Sequence, residues 1–255
     1  MRTRTVLITG GASGIGLGIG RQLGLAGHRI ILADLNLPAA QTAAQQLSDE
    51  GIDAYGCQLD VSNAMQIAAL PDGLLPYEVD VLINNAGIQH VARLEDFPAD
   101  KWQQLINIML VGPALLTQAL LPSMRARNYG RIINIGSVHS LIASPFKSAY
   151  VTTKHGLLGF AKTVALETGD CNVTINTICP SYVLTPLVEK QIAAQAIEHG
   201  ISEDEVVNKI MLEPMPKKAF IEMDELAATA AFLIDDAARN ITAQTLVIDG
   251  GWTAR

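Results

Sequence analysis

Tyr150 and Lys154 stand four residues apart in a stretch with helical periodicity, so one helical turn brings a phenol and an ammonium to the same face. An unperturbed phenol, with a pKa of about 10, is a poor base at neutral pH. An ammonium beside it favours the phenolate and brings proton transfer toward neutrality. Ser137 closes the β-branched run before them, where its hydroxyl can brace an alcohol or carbonyl oxygen from the opposite side. Asn107 lies in an apolar helical stretch, and a polar side chain there needs a partner. It can kink the helix and hold a water leading toward Lys154. As a set, the four residues describe proton transfer at a substrate oxygen. Taken singly, each has a plainer reading: a cap for Ser137, packing for Tyr150, a solvated charge for Lys154 and a structural polar group for Asn107.

A second constellation supplies the partner for such chemistry. Thr9-Gly10-Gly11-Ala12-Ser13-Gly14-Ile15-Gly16 follows a strand-like run directly and opens a helical one. Glycines at that junction allow a tight turn and close backbone approach, so a pyrophosphate can meet the amides of the helix N-terminus. The next strand-like run ends at Asp34, whose carboxylate can accept from both ribose hydroxyls of an adenosine. It would repel a 2′-phosphate, and neither Leu35 nor Asn36 offers a cation, so NAD is expected over NADP. Asp60-Val61 follows the third strand and can meet an adenine amino group. Asn84-Asn85-Ala86-Gly87 ends the fourth, where small residues let backbone line a cofactor; capping is the alternative.

These groups need a scaffold. Thr5–Thr9, Arg29–Ala33, Val79–Ile83, Arg131–Ile135, Thr174–Ile178 and Leu246–Ile248 read as strands, and Asp53–Cys57 as a weaker one. Several are apolar without alternation, as in parallel sheets covered on both faces. Gly16–Leu25, Ala39–Glu50, Trp102–Arg125, Tyr150–Glu167, Thr185–Glu198 and Asp224–Asp235 read as helices, and the stretch from Pro71 to Pro76 as a turn-rich connection. The βαβ rhythm gives an α/β, doubly wound, Rossmann-like parallel sheet in one domain over residues 1–255. Helical propensity at about 184–213, broken near His199-Gly200, suggests a small helical lid.

Composition narrows the partners. With 255 residues, 49% of them apolar, the chain can bury one large core. A net charge of −7 and the lack of a Lys/Arg cluster argue against nucleic acid or an anionic membrane. No run approaches the roughly 18–20 apolar residues a membrane span needs. The N-terminus enters a strand at once, leaving no room for a cleavable signal, so a cytoplasmic location is expected. Cys57, Cys171 and Cys179 have no metal-ligand spacing and read as reduced thiols; no metal is expected.

With these motifs the chain resembles the short-chain dehydrogenase/reductase family over essentially its whole length. The family's glycine pattern is present as Thr9-Gly10-x-x-x-Gly14-x-Gly16, its Asn-Asn-Ala-Gly element as Asn84–Gly87, and its tetrad as Asn107, Ser137, Tyr150 and Lys154. The resemblance implies a seven-stranded sheet, a homotetramer, and a tyrosine acid/base. The lysine would bind nicotinamide ribose and lower the tyrosine pKa, the serine would orient substrate, and the asparagine would support a relay water. By motif position the cofactor residues would be Gly10, Ser13, Gly14, Ile15, Gly16, Asp34, Asp60, Val61, Asn85, Ala86, Gly87, Tyr150, Lys154, Pro180 and Val183.

Gln89-His90, Ser137-Val138-His139, Ala149-Tyr150-Val151 and the run Thr185–Ile192 carry a narrower similarity, to the branch of the family that oxidises (R)-3-hydroxybutyrate. That resemblance implies a substrate carboxylate held by Gln89, His139, Lys147 and Gln191, with aromatic walls at Tyr182 and Trp252. His139 lies two residues beyond Ser137 and Lys147 three before Tyr150, so both can reach the mouth of the site. The plain alternatives are a solvated loop charge for Lys147, a strand-end partner for Gln89, a backbone contact for His139 and C-terminal packing for Trp252. The chain departs from the branch at Cys179-Pro180-Ser181-Tyr182, where the pattern is Cys-Pro-Gly-Trp; tyrosine keeps the wall but changes its volume and adds a hydroxyl. Another hydroxy acid or a polyol remains an alternative substrate. A dinucleotide-responsive binding protein is the alternative of another class.

Overall fold

The computed structural model describes residues 2–74 and 77–254. Seven strands, β1 (Thr5–Thr9), β2 (Arg29–Asp34), β3 (Ala54–Gln58), β4 (Val81–Asn84), β5 (Gly130–Ile135), β6 (Val173–Pro180) and β7 (Thr245–Ile248), form one sheet in the order β3-β2-β1-β4-β5-β6-β7. Every neighbouring pair is parallel. Successive side chains of a strand point to opposite faces, and here both faces are dry. In β1, Val6 and Ile8 enter one core and Leu7 the other; in β4, Val81 and Ile83 part from Leu82 in the same way. Two buried faces explain why these strands read as continuous apolar runs.

One face is covered by α1 (Gly14–Leu25), α2 (Leu37–Asp49) and α9 (Met223–Ile234), through Ile19, Leu23, Ala43, Leu47, Leu226 and Leu233. The other is covered by α3 (Ala64–Gly73), α5 (Gly112–Ala126) and α6 (Ser148–Glu167), through Ile67, Leu70, Leu116, Leu120, Ala161 and Val164. Two further helices, α7 (Pro186–His199) and α8 (Glu203–Val206), lie between β6 and α9. Gly200 ends α7 in the left-handed conformation at φ 63°, which glycine adopts without steric cost.

Three readings of the sequence are corrected. Pro71 to Gly73, expected in a turn-rich connection, belong to the last turn of helix α3, which the sequence reading did not identify. The helix is short, with Ile67 and Leu70 as its buried residues, and its start is set by Asn63, whose side chain accepts from the amides of Met65 and Gln66. The remainder of that expected turn, residues 75 and 76, lies outside the described residues. The long helix expected over Trp102–Arg125 is α4 (Ala99–Ile106) joined to α5 through a π-turn at Asn107–Val111, in which Gly112 N–H donates to Asn107 O five residues back. The combined stretch Ala99–Ala126 is long and apolar enough to cross a membrane by length and composition, with 39% of its most apolar window buried. Uncharged Gln, Asn and Thr interrupt its apolar run without lowering its mean hydropathy much, so a search for unbroken runs passes over it.

The N-terminal edge of the sheet is held by cations. The guanidiniums of Arg4 and Arg131 both lie over the Tyr129 ring, 3.4 and 4.4 Å from its centroid. Arg131 is fully buried and donates to Gly130 O and Asn172 O, with Asp236 at 3.7 Å.

Candidate active site

The opposite, C-terminal edge carries the site. Strand order reverses at β1, which pairs with both β2 and β4, and a crevice opens where the loops after β1 and β4 diverge. The two loops are tied together at its floor. Thr9 Oγ1 accepts from the amides of Asn85 and Ala86 at 3.0 and 3.1 Å, and Asn85 Nδ2 donates to Thr9 O and Gly10 O at 2.9 and 3.1 Å. A Cβ on Gly10, whose φ is +60°, would lie 2.9 Å from Ala86 Cα. Glycine is therefore required there both for backbone conformation and for approach.

A continuous cleft of about 480 Å³ follows this edge, lined at one end by Gly10, Ser13, Gly14, Ile15, Asp34, Asp60 and Val61. Ala86, Gly87, Tyr150, Lys154, Pro180 and Val183 continue it, and Gln89, Ser137, His139, Lys147, Tyr182, Gln191 and Trp252 line the other end. Asn85 lines it too, although its side chain serves the loop tie just described.

Gly16 and Asn107 do not line it. A Cβ at Gly16 would sit 2.5 Å from Gly10 O and 2.6 Å from Asn85 Nδ2, so its part is to let α1 pack beneath the loop. Asn107 Oδ1 accepts from Gln103 Nε2 at 2.8 Å, and the residue opens the π-turn that places Ile108 and Met109 in the cleft wall. Those two residues were not singled out in the sequence, and neither were Leu59, Thr185 and Val188, which also line the cleft. Thr185 had a legible signal: followed by Pro186, it caps α7 by accepting from Val188 N–H.

The glycine end fits a dinucleotide. Ser13, at the N-cap of α1, makes no side-chain capping bond, so the first amides of that helix face the cleft without a side-chain partner. Asp34 is held in place by the amides of Ala12 and Asn36, which donate to its two carboxylate oxygens at 3.2 and 3.0 Å. Among the described residues, the lysines and arginines lining the cleft are Lys147 and Lys154, both beyond β5.

At the reacting end, Ser137 caps a short 3₁₀ turn, Val138–Ser140, and lines the cleft with Tyr150. Lys154 Nζ donates to Ile135 O at 2.6 Å and lies 5.6 Å from the Tyr150 ring centroid. Burial brings this ammonium down to about 8. Burial also pushes the Tyr150 phenol up, and the neighbouring Ser137 hydroxyl pulls it the other way. In the protein chain by itself, desolvation thus outweighs the acidifying effect expected from Lys154, whose ammonium is directed at a carbonyl.

His139 is buried, and burial, with the positive charges of Lys147 and His155, lowers it to about 4. Its Nδ1 lies 3.4 Å from Ser137 Oγ and its Nε2 2.7 Å from Ser144 Oγ. The expected carboxylate donor is therefore neutral near pH 7, with both nitrogens engaged. Tyr182 stacks on Trp252 with centroids 5.9 Å apart, and Trp252 meets the His139 ring edge to face. Gln89 Oε1 is buried without a hydrogen-bond partner, and among the described residues no carboxylate pairs with half-buried Lys147.

A family model described as short chain dehydrogenase matches residues 4–196, and the chain belongs to that family. It is 43% identical to a D-beta-hydroxybutyrate dehydrogenase of Rhizobium meliloti, across 99% of this chain and 100% of that one. A protein of the same description from Cupriavidus necator is 42% identical, across 99% and 98% of the two chains. A crystal structure of an actinorhodin polyketide ketoreductase variant with NADPH superimposes with a TM-score of 0.93 at 30% identity, covering 99% of this chain and 98% of the other. The protein is an NAD(P)-dependent oxidoreductase acting on a small hydroxy or keto substrate.

Proposed function

We propose that the protein catalyses the reversible, NAD-dependent oxidation of (R)-3-hydroxybutyrate to acetoacetate. The observation that carries this reading is that Gln89, Lys147 and Gln191 line the same cleft as Ser137 and Tyr150. A cation without a carboxylate partner and an amide with an unsatisfied buried oxygen are groups that a small acid would complete. Relatives described as D-beta-hydroxybutyrate dehydrogenases support the same substrate class.

Bound nicotinamide supplies the hydride acceptor. Lys147 and Gln191 hold the carboxylate, so the carbon bearing the hydroxyl is fixed before reaction, where positioning contributes most. Tyr150 takes the hydroxyl proton, and Ser137 donates to the oxygen as it becomes a carbonyl. Lys154 stabilises negative charge on the phenol. Asp34 favours NAD, because it would meet a 2′-phosphate with like charge. Closure of α7 over the cleft, carrying Gln191, would exclude water. The partly exposed apolar stretch Ala99–Ala126 favours assembly with further copies of the chain, in a homotetramer, over membrane contact, since Met109, Leu116, Leu120 and Met124 on it are core residues.

The test is cofactor reduction followed at saturating NAD or NADP with (R)- and (S)-3-hydroxybutyrate, 3-hydroxyvalerate and a polyol. The (R)-acid with NAD should be turned over fastest. Lys147→Ala should raise KM for the acid at least tenfold, about 1.4 kcal/mol, and leave neutral alcohols unaffected. A polyol preferred over every acid would sink the reading. A second reading, a slightly larger or more polar hydroxy acid, is favoured by the Tyr182 hydroxyl in the cleft wall, and the 3-hydroxyvalerate arm addresses chain length.

A further inference from the structure

Phe146 stands at φ +67°, in the left-handed region where a Cβ crowds the following carbonyl oxygen. Three other described non-glycine residues share that region, Asn128, Lys218 and Ala243. Phe146 is the one whose neighbour in the chain, Lys147, lines the cleft. Burial of its ring does not explain the conformation, because Phe146 is 46% exposed. Such a backbone state persists where its surroundings fix it, and outliers of this kind gather at ligand clamps.

The surroundings here are a tie between two loops. Phe146 O accepts from Ala92 N–H at 3.0 Å, and the Arg93 guanidinium lies 5.4 Å from the Phe146 ring centroid. Ala92 and Arg93 belong to the loop after β4, three and four residues beyond Gln89. On the other side of Phe146 the chain enters α6 at once. Lys147 is the N-cap, makes no side-chain capping bond, and its carbonyl accepts from Val151 N–H at 2.9 Å. Two residues before Phe146, Ser144 Oγ meets His139 Nε2 at 2.7 Å, which holds the preceding part of the loop to the 3₁₀ turn. The left-handed residue is thus the corner at which the chain leaves the β4 loop and starts the helix that carries Tyr150 and Lys154.

We propose that Phe146 is a positioning residue for substrate binding: its left-handed backbone, locked to Ala92, holds Lys147 and Gln89 in one cleft wall. The proposal rests on the reading of Lys147 and Gln89 as carboxylate-binding groups. Neither side chain is aimed by a partner of its own. Gln89 Oε1 is buried without a hydrogen bond, and no carboxylate among the described residues pairs with Lys147. A lysine stem is flexible, so the place of its Cα decides where the ammonium can reach. Valine, with a branched Cβ, does not sustain the left-handed state; the chain would relax, the Ala92 bond would open and the two loops would part. Asparagine adopts that state readily and would keep the corner without the ring.

The test compares the wild-type holoenzyme with Phe146→Val, Phe146→Asn, Phe146→Ala and Lys147→Ala, on the best acid of the panel above at saturating NAD. Phe146→Val should raise KM for the acid roughly tenfold, as for the loss of one hydrogen bond to a charged group. It should leave kcat and KM for NAD within about twofold, the pattern of lost uniform substrate binding. Amide hydrogen exchange in the segment holding Ala92 should speed up in the same variant. Phe146→Asn should keep both readouts at wild-type values. Phe146→Ala should fall between the two, which decides the matter if the valine variant does not fold. A wild-type KM in Phe146→Val beside a raised one in Lys147→Ala overturns the proposal and leaves the substrate reading standing. A wild-type KM in Lys147→Ala on every acid rejects the substrate reading, and the positioning role with it. An equal rise in Phe146→Asn and Phe146→Val, or a loss shared by kcat and KM for NAD, also overturns the proposal.

Discussion

At the scale of single residues, the chemistry of His139 is set by what surrounds it. Its folded pKa of about 4 lies below the ordinary 6.5, so between those values the unfolded chain binds more protons than the native one. Native stability therefore rises with pH across that window, is lost on acidification from about pH 6.5, and levels off below about 4. Urea midpoints at pH 7 and 5 should show the loss, at most about 1.4 kcal/mol per pH unit, and His139→Gln should remove that part of the slope. The residue types of the site were legible because Ser137, Tyr150 and Lys154 are close in the chain and their spacing has a periodicity. The partner Ser144 was not, because its place depends on how the loop between Ser140 and Lys147 folds. The pairing of Lys154 with the Ile135 carbonyl was hidden for the same reason, since it joins a helix to a strand end 19 residues earlier.

Among the elements, strands were easier to read than helix interruptions. Apolar runs of β-branched residues mark β1, β2 and β5 because both faces of the sheet are buried. The π-turn after α4 has no comparable signature, since Ile108 to Val111 are apolar at every position and a one-residue shift leaves no mark in such a run. At the end of α7, Gly200 has open space around its Cβ position and φ +63°. Gly200→Ala should therefore act through the backbone alone, destabilising the left-handed cap by about 1 kcal/mol. Hydrogen exchange should speed up in α7 and leave β1 and β5 unchanged.

For the molecule as a whole, the two edges of the sheet have separate duties. The cleft occupies the C-terminal edge, while Arg4, Tyr129 and Arg131 fasten the N-terminal one. Arg131→Ala should lower stability by about 3 kcal/mol or more, since its buried acceptors lose their donor. At a temperature where the variant stays folded, KM for cofactor and hydroxy acid should match wild type. The doubly wound sheet was legible from the βαβ rhythm, whereas the division of labour between its edges was not: it depends on Arg4 and Arg131, far apart in the chain, meeting at one tyrosine.

The π-turn at Asn107–Val111 also makes the protein sensitive to length in a way no substitution reveals. Deleting Ile108 would let α4 and α5 join as a regular helix with their faces still in phase, because the π-turn already absorbs the surplus residue. Trp102, which donates to Ser148 Oγ at 3.3 Å and packs with Met109 and Ala149 beside Tyr150, would keep its face, while the bulge that puts Ile108 and Met109 into the cleft wall would be gone. The deletion variant should keep a wild-type far-ultraviolet spectrum and lose turnover, whereas Ile108→Ala should keep both. What the helix stores there is a shape for the cleft wall, written as one surplus residue.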